Sequence, residues 1–203
     1  MSDRNTELLN FMGIDLAGSE KRNTGICVID NSLRIIHLSV RHTDEEIINI
    51  VKKYKPKVIA IDAPLTLPKG REDIDINNGI HFRKCDLELR RMKIKFFPIT
   101  LGPMRMLTKR GMRLKSKLEK MKYKVIETFP GAVQDILGIP RKTRGVEKLR
   151  NSLIKFGIKN VPKNATHDEL DAITCAIIAK YYHDGNYLEI GDPDEGTIIL
   201  PKS

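Results

Sequence analysis

The sequence predicts an α/β fold around a mixed, five-stranded sheet flanked by helices, and three observations indicate it. Strand-like runs fill roughly the first forty residues, as in an antiparallel meander. An amphipathic helix follows, and the β-branched run at residues 57–62 then has the pattern of a strand buried on both faces. A helix between two strands implies a parallel crossover, so the sheet should contain both strand directions.

The first three strands are separated by short turns. Residues 9–16 form the first apolar run, and a polar turn region separates it from the second run at 24–30. A tight turn at Asn31 and Ser32 leads into the third run at 33–40. Because consecutive strands joined by short turns pair side by side, these three should be antiparallel.

A capping box predicts where the first helix begins. Thr43 stands three residues before Glu46, so each side chain can satisfy a backbone donor at the helix start. Pro56 ends the helix, and the fourth strand follows at 57–62. A right-handed crossover then places the first and fourth strands side by side in the middle of the sheet.

The segment after the fourth strand interrupts this pattern with proline, glycine and charge. It contains one predicted helix, at residues 82–92, and too few apolar residues for a core of its own. We therefore interpret residues 65–110 as a basic insertion within a single domain that spans residues 1–203. The remaining elements are predicted as helices at 108–122, 131–137, 146–156 and 166–182, a strand at 123–127, and a terminal pair of strands at 187–190 and 197–200.

Positive charge is concentrated in the middle of the chain. The net charge is +10, and residues 69–124 alone contain 17 Lys and Arg against 6 Asp and Glu. Such a concentration is typical of a surface that binds a polyanion, and a solvated charged surface is the alternative. The candidates for phosphate contacts are Arg83, Arg90, Lys109, Arg110 and Arg113.

Composition excludes several classes of protein. The N-terminal segment is polar, and no run approaches the roughly 18 apolar residues of a membrane span, so we expect a cytoplasmic protein without a membrane partner. The cysteines Cys27, Cys85 and Cys175 are far apart and lack a CxxC pair. Neither a disulfide framework nor a cysteine-rich zinc site is indicated.

Two aspartates close the two central strands. Asp15 ends the first strand and Asp62 the fourth, so their carboxylates should meet at one edge of the sheet. Either one alone is explained equally well by a local turn. Two carboxylates that converge beside apolar strands repel each other unless a cation or a proton lies between them.

The last helix adds two more acids. Thr166 and Glu169 form a second capping box, which places Asp168 in the first turn, where the helix dipole favours an anion in any case. Asp171 lies deeper, on a helix side of small residues that should pack closely. Because no Lys or Arg occupies the next turn, a divalent cation held with Asp15 and Asp62 is the expected partner.

Four carboxylates predict a site for Mg²⁺ or Mn²⁺, since both ions prefer oxygen ligands. Two such ions would support in-line hydrolysis of a phosphodiester, one activating the water and one stabilising the leaving oxygen. Asp15, Asp62, Asp168 and Asp171 are the expected catalytic and metal-binding residues. Glu127 ends the next strand and is a further candidate for a ligand or catalytic acid, or for a cap of the following helix.

Four short motifs resemble domain-of-unknown-function family 429, which is described as a nuclease family of the RNase H fold with expected rather than demonstrated activity. They are GIDLAGS at 13–19, IDAP at 61–64, ETFP at 127–130 and HDELDA at 167–172. The helix motif is also similar to that of RuvC-type Holliday-junction resolvases, where Glu takes the place of Asp62. The resemblance implies an RNase H-like fold, a nuclease acting on DNA or RNA and, by analogy with the resolvases, a homodimer.

Two other functions compete with a nuclease. The loop of Ala17, Gly18 and Ser19 resembles the phosphate loop of sugar kinases and actin-like ATPases, although 203 residues cannot hold their duplicated domain. A non-catalytic nucleic-acid-binding module would keep the basic surface without using the acids. Phe96 and Phe97 are expected to pack the insertion onto the core, with base stacking as the alternative.

Overall fold

The computed structural model describes residues 9–202, so the polar N-terminal segment considered above lies outside the described residues. The strands within this range are β1 (Asn10–Asp15), β2 (Thr24–Asp30), β3 (Ile35–Arg41), β4 (Val58–Asp62), β5 (Lys124–Thr128), β6 (Tyr187–Asp192) and β7 (Gly196–Pro201). The helices are α1 (Asp44–Tyr54), α2 (Lys84–Arg91), α3 (Gly102–Lys120), α4 (Pro130–Ile136), α5 (Val146–Phe156) and α6 (His167–His183). A short 3-10 turn, Lys142–Arg144, lies between α4 and α5.

The main sheet is mixed and has five strands, in the order β3-β2-β1-β4-β5. β1 pairs antiparallel with β2 and parallel with β4, and β4 pairs parallel with β5. This confirms the predicted fold class and the central position of β1 and β4. The register of these two strands places Asp15 directly beside Asp62.

The sheet buries a separate apolar core on each face. Met12 and Ile14 point towards the core that α1 and α3 cover, whereas Phe11 points towards the core formed with α6. Because side chains alternate between the faces of a strand, Asp15 belongs to the α6 face. The same parity in β4 places Asp62 on that face too.

Helix α6 lies directly on the strand backbones, and two glycines allow this approach. A Cβ atom built on Gly13 would come within 2.1 Å of the carbonyl oxygen of Ala172, and one on Gly25 within 2.1 Å of that of Asp168. All ten residues from 170 to 179 are buried, as the small side chains of this helix predict. The position of the helix acids relative to β1 is therefore set by backbone contact.

The helix boundaries follow the capping signals closely. The capping boxes at Thr43 and Thr166 both form, and they begin α1 and α6 where the sequence predicts. Helix α3 begins at Gly102 rather than at residue 108, because Pro103 is favoured in a first turn, where its missing N–H costs nothing.

The insertion shares the core of the main sheet. Cys85, Leu89 and Ile94 are buried in the same apolar cluster as α6. The three cysteines are buried and free. Within residues 9–202, no helix combines the length and the apolar character needed to cross a membrane.

Candidate active site

Asp15 and Asp62 lie side by side at the carboxyl ends of β1 and β4, paired in the register of the two strands. Burial above all, and then the charge of Asp171, raise the pKa of Asp15 to about 7. Burial and the neighbouring Asp15 likewise raise the pKa of Asp62 well above its usual value. Because burial and neighbouring negative charges both disfavour the ionised form, Asp15 keeps its proton up to nearly neutral pH.

Asp171 faces this pair from the second turn of α6. Its Oδ1 accepts a hydrogen bond of 2.8 Å from Nε2 of Gln134, and its Oδ2 lies 2.8 Å from Nζ of Lys142. The carboxylate is buried, and its charge raises the pKa of both Asp15 and Asp62. The structure thus brings three of the four predicted acids together.

Asp168 lies at the edge of this group. Its side chain is 15% exposed, and one carboxylate oxygen is 2.8 Å from Nδ1 of the exposed His167. Its charge makes a smaller contribution to the raised pKa of Asp15 than that of Asp171. We use the name carboxylate cluster below for Asp15, Asp62 and Asp171, with Asp168 at its margin.

A basic side chain, Lys142, lies next to the carboxylate cluster. The expectation that only a divalent cation balances the helix acids is therefore wrong. Lys142 reaches Asp171 from the 3-10 turn after α4. Burial opposes its charge, but Asp171, Asp15 and Asp62 outweigh that effect and raise the pKa of Lys142. The contact joins residues far apart in the sequence, so local spacing gave no signal for it.

Glu127 stands outside the carboxylate cluster, which corrects its assignment as a ligand or catalytic acid. Its two oxygens accept hydrogen bonds of 2.7 Å each from Arg83 and a third of 2.8 Å from the backbone N–H of Leu65. The sheet register pairs Asp62 with Thr128, so Glu127 is one residue out of phase with the cluster. The N-cap residue of α4 is Phe129, and the hydrogen bonds of Glu127 go to Arg83 and Leu65 and not to this helix.

Two of the five predicted phosphate contacts are internal. Arg83 is 1% exposed and binds Glu127 and Asp86, which, despite the opposing effect of burial, raise its pKa well above the usual value. Arg110 is 3% exposed and donates to the carboxylate of Asp44. It also donates to the backbone carbonyls of Ala17, before β2, and of His42, after β3. Both guanidinium groups stabilise the fold and do not reach the surface, so the expectation for these two residues is wrong.

The other three basic candidates lie on the surface. The guanidinium of Arg90 lies 4.3 Å from the ring centroid of Phe82. Lys109 is ion-paired with Asp75, and Arg113 contacts Asp44 at 3.1 Å while its side chain is 55% exposed. These cations remain accessible to a polyanion.

The loop after β1 is anchored by Arg110 rather than open to a phosphate. One guanidinium nitrogen of Arg110 donates to the carbonyl oxygens of Ala17 and Ser19, at 2.8 and 3.1 Å. The N–H of Ala17 donates to the hydroxyl of Thr24. Because a phosphate loop binds through free N–H groups, the engaged N–H of Ala17 counts against the kinase-like alternative.

A cavity of about 910 Å³ opens beside the carboxylate cluster. Its walls are mainly apolar and come from the insertion, the start of α3 and the end of β5. Asp62 and Lys142 line one side, so the cavity is continuous with the cluster. The sequence did not indicate it, because its walls combine segments that are distant along the chain.

The chemistry of the cluster suits a hard divalent cation. Three carboxylates converge, and burial first, then the mutual repulsion that the single lysine does not compensate, raises the pKa values of Asp15 and Asp62. Within the part of the chain that the structure describes, no three His, Cys, Asp or Glu side chains form a ready-made metal cage. The donors are carboxylate oxygens, which Mg²⁺ and Mn²⁺ prefer, and one of the three carboxylates, Asp171, is paired with Lys142.

Two solved structures resemble this one. A structure of Thermus thermophilus RuvC in complex with a Holliday junction substrate matches with a TM-score of 0.54 and 12% identity, covering 87% of this chain and 97% of that one. A second Thermus thermophilus RuvC structure matches with a TM-score of 0.48 and 14% identity, with the same coverage. The first likeness shows that the fold is RNase H-like.

The sequence itself matches one known family. A search of curated proteins found no match. The sequence profile of a family described as "Protein of unknown function (DUF429)" matches residues 13–196, which include every member of the carboxylate cluster. The chain therefore belongs to the DUF429 family and has the RNase H-like fold.

Proposed function

We propose that this protein is a metal-dependent nuclease that hydrolyses phosphodiester bonds of nucleic acid at the carboxylate cluster. The observation that carries the proposal is the pairing of Asp15 with Asp62, at the ends of two parallel strands, opposite Asp171. Carboxylates with raised pKa values in a cleft are typical of functional sites. The likeness to RuvC, in a structure described as a complex with a Holliday junction, supports the same class of substrate.

Asp15, Asp62 and Asp171 would hold the cation, with Asp168 as a further ligand at the margin. A bound Mg²⁺ or Mn²⁺ would supply Lewis-acid chemistry, lowering the pKa of the attacking water and offsetting charge on the phosphate. Asp15 and Asp62, whose pKa values are raised, would release any bound proton as the cation binds.

Lys142 is the residue we expect to exchange partners when the site is loaded. Its side chain is 43% exposed and lies between Asp171 and the cavity. The ammonium group can leave Asp171 and donate to a phosphate oxygen of the substrate. Arg90, Lys109 and Arg113 would contact phosphates further along the strand.

The experiment compares Asp15→Asn with the wild-type protein on single-stranded, duplex and branched DNA and RNA. With Mg²⁺ or Mn²⁺, we expect cleavage to fall by about a hundredfold or more, because the variant loses a ligand and a negative charge at the cation. Binding in Ca²⁺ should stay close to that of the wild type. Asp184→Asn, at the far end of α6, is the matched control, and cleavage by Asp15→Asn at the wild-type rate would contradict the proposal.

The second candidate is a nucleic-acid-binding module without catalysis, and Lys142 is the observation that favours it. An ion pair with Asp171 neutralises part of the cluster without any metal. Salt-dependent binding of the same substrates by the wild-type protein, with no cleavage in either metal, would identify this function instead.

A further inference from the structure

We infer that the cavity beside Asp62 binds an unstacked nucleobase, so that the protein prefers substrate strands with unpaired nucleotides. The inference rests on the proposed function, because it names the substrate of the same site. It is carried by three features of the cavity: aromatic walls, a basic rim and continuity with the carboxylate cluster.

The aromatic walls form a surface on which a flat base can stack. Phe82 and Phe96 make an edge-to-face contact with ring centroids 6.2 Å apart, and Arg90 covers the ring of Phe82. Phe97 lines the same cavity with 67% of its surface exposed. Aromatic rings and guanidinium planes are the groups on which proteins stack unpaired bases.

The rim of the cavity carries cations that complement a phosphate backbone. Besides the buried Arg83, five basic residues line it: Arg90, Lys93, Lys95, Arg141 and Lys142. Three acids also line it: Asp62 belongs to the carboxylate cluster, and Asp86 and Glu127 are both ion-paired with the buried Arg83. An apolar interior beneath a cationic rim fits a ligand with a flat uncharged part and an anionic part, which describes a nucleotide.

Continuity with the cluster links the base to the reaction. Asp62 belongs both to the cavity lining and to the cluster, and Lys142, which also lines the cavity, contacts Asp171 of the cluster. A base inside the cavity would therefore hold its own phosphate beside Asp62. Seating the base requires it to leave its stack, which costs least where the nucleotide is already unpaired.

The cavity should accept different bases. Among residues 9–202, no buried side-chain nitrogen or oxygen lacks a hydrogen-bond partner. Buried donors in the wall, such as the hydroxyl of Thr128, which binds the carbonyl of Ile199, are already engaged. Discrimination between bases needs free donors and acceptors, so we expect stacking with little base specificity.

A free nucleotide carries the same base and phosphate as a nucleotide within a strand. The experiment therefore compares the binding of both. The probes are DNA duplexes with 2-aminopurine, a fluorescent base, either fully paired or in a one-nucleotide bulge, and 2-aminopurine nucleoside monophosphate. Affinity is measured in Ca²⁺ with Asp15→Asn as the background, so that no strand is cut. We expect the bulged duplex to bind more tightly than the paired one, and the monophosphate much more weakly than either.

The decisive variant is Phe97→Ala, because an exposed side chain is replaced without loss of core packing. We expect about a tenfold loss of affinity for the bulged duplex and little change for the paired one, since one stacking contact is removed. Phe97→Trp should retain the affinity. Ile76→Ala is the matched control, because Ile76 is 62% exposed in the same insertion and does not line the cavity.

The outcomes separate this inference from the proposed function. Equal affinity of Phe97→Ala and its background for the bulged duplex would overturn the inference, even if the wild-type protein proves to be a nuclease. Equal affinity for the monophosphate and the bulged duplex would overturn it in favour of a free nucleotide. Selective, Phe97-dependent binding of the bulge without cleavage by the wild-type protein would support the inference and contradict the proposed function.

Discussion

Asp15 shows how a single residue can be unfavourable for the fold and still be kept at a site. Its folded pKa of about 7 lies above the unfolded value of 3.8, because ionisation inside the cluster is opposed by burial and by Asp171. Between these two pH values the unfolded chain releases a proton that the folded protein retains. The free energy of unfolding therefore falls as pH rises through this window, and the loss is complete above it.

Replacement of Asp15 by Asn should remove this penalty. In the presence of a chelator, we expect the stability of Asp15→Asn relative to wild type to improve by about 2–4 kcal/mol between pH 4 and pH 8, since Asn does not ionise. Urea denaturation at the two pH values measures the difference. The exposed Asp184→Asn is the control, and a relative stability of Asp15→Asn that is independent of pH would contradict the shift.

Arg83 has the opposite role, because it stabilises the fold and takes no part in the cluster. Removing its charge by Arg83→Met leaves Glu127 and Asp86 buried without a positively charged partner, and we expect a loss of about 3–5 kcal/mol. Thermal or denaturant unfolding measures this loss. Arg91→Met, on the exposed side of α2, should change stability by less than about 0.5 kcal/mol, and equal effects of the two variants would refute a structural role for Arg83.

At the scale of elements, local signals predicted the fold well and long-range contacts remained hidden. Capping boxes at Thr43 and Thr166 fixed two helix starts, and the β-branched run fixed β4, because each signal lies within a few residues. The face of the sheet on which Glu127 lies depends on the strand register. An error of one residue in the predicted end of the strand moves its side chain to the opposite face. The contact of Lys142 with Asp171 depends on the tertiary structure alone, because the two residues are far apart in the sequence.

The contact between α6 and the sheet provides a test at this scale. Gly13→Ala introduces a methyl group where the backbone of α6 leaves no room, so we expect a loss of about 3 kcal/mol or more of stability, or displacement of α6 with loss of metal-dependent cleavage. Gly102→Ala is the control, because nothing lies within 4 Å of its added Cβ. A Gly13→Ala protein as stable as Gly102→Ala would show that α6 is not held by this contact.

Across the whole molecule, some of the concentrated positive charge is buried in the fold, and the rest is exposed and can bind an anion. Of the predicted basic surface, the buried residues Arg71, Arg83 and Arg110 serve the interior, whereas the rim of the cavity holds exposed lysines. Composition alone cannot separate the two groups, because burial is decided by the fold. The homodimer expected by analogy with the resolvases stays a prediction.

The rim should control how binding depends on salt. Lys93→Gln and Lys95→Gln should each lower the slope of log affinity against log salt concentration by about one, if each lysine contacts one phosphate. The slope is measured by titration at several salt concentrations. Lys52→Gln, an exposed lysine of α1 that does not line the cavity, should leave it unchanged, and equal slopes for all three variants would place the nucleic acid elsewhere.

The close approach of α6 at Gly13 and Gly25 also determines how the site is lost on heating. Residues 170–179 are buried against strand backbones, so their amide hydrogens should exchange with solvent only when the whole sheet opens. No partial opening would then separate Asp171 from Asp15 while the rest of the protein stays folded. The cluster and the fold should disappear in one cooperative transition, and the site should keep its geometry up to the temperature at which the chain unfolds.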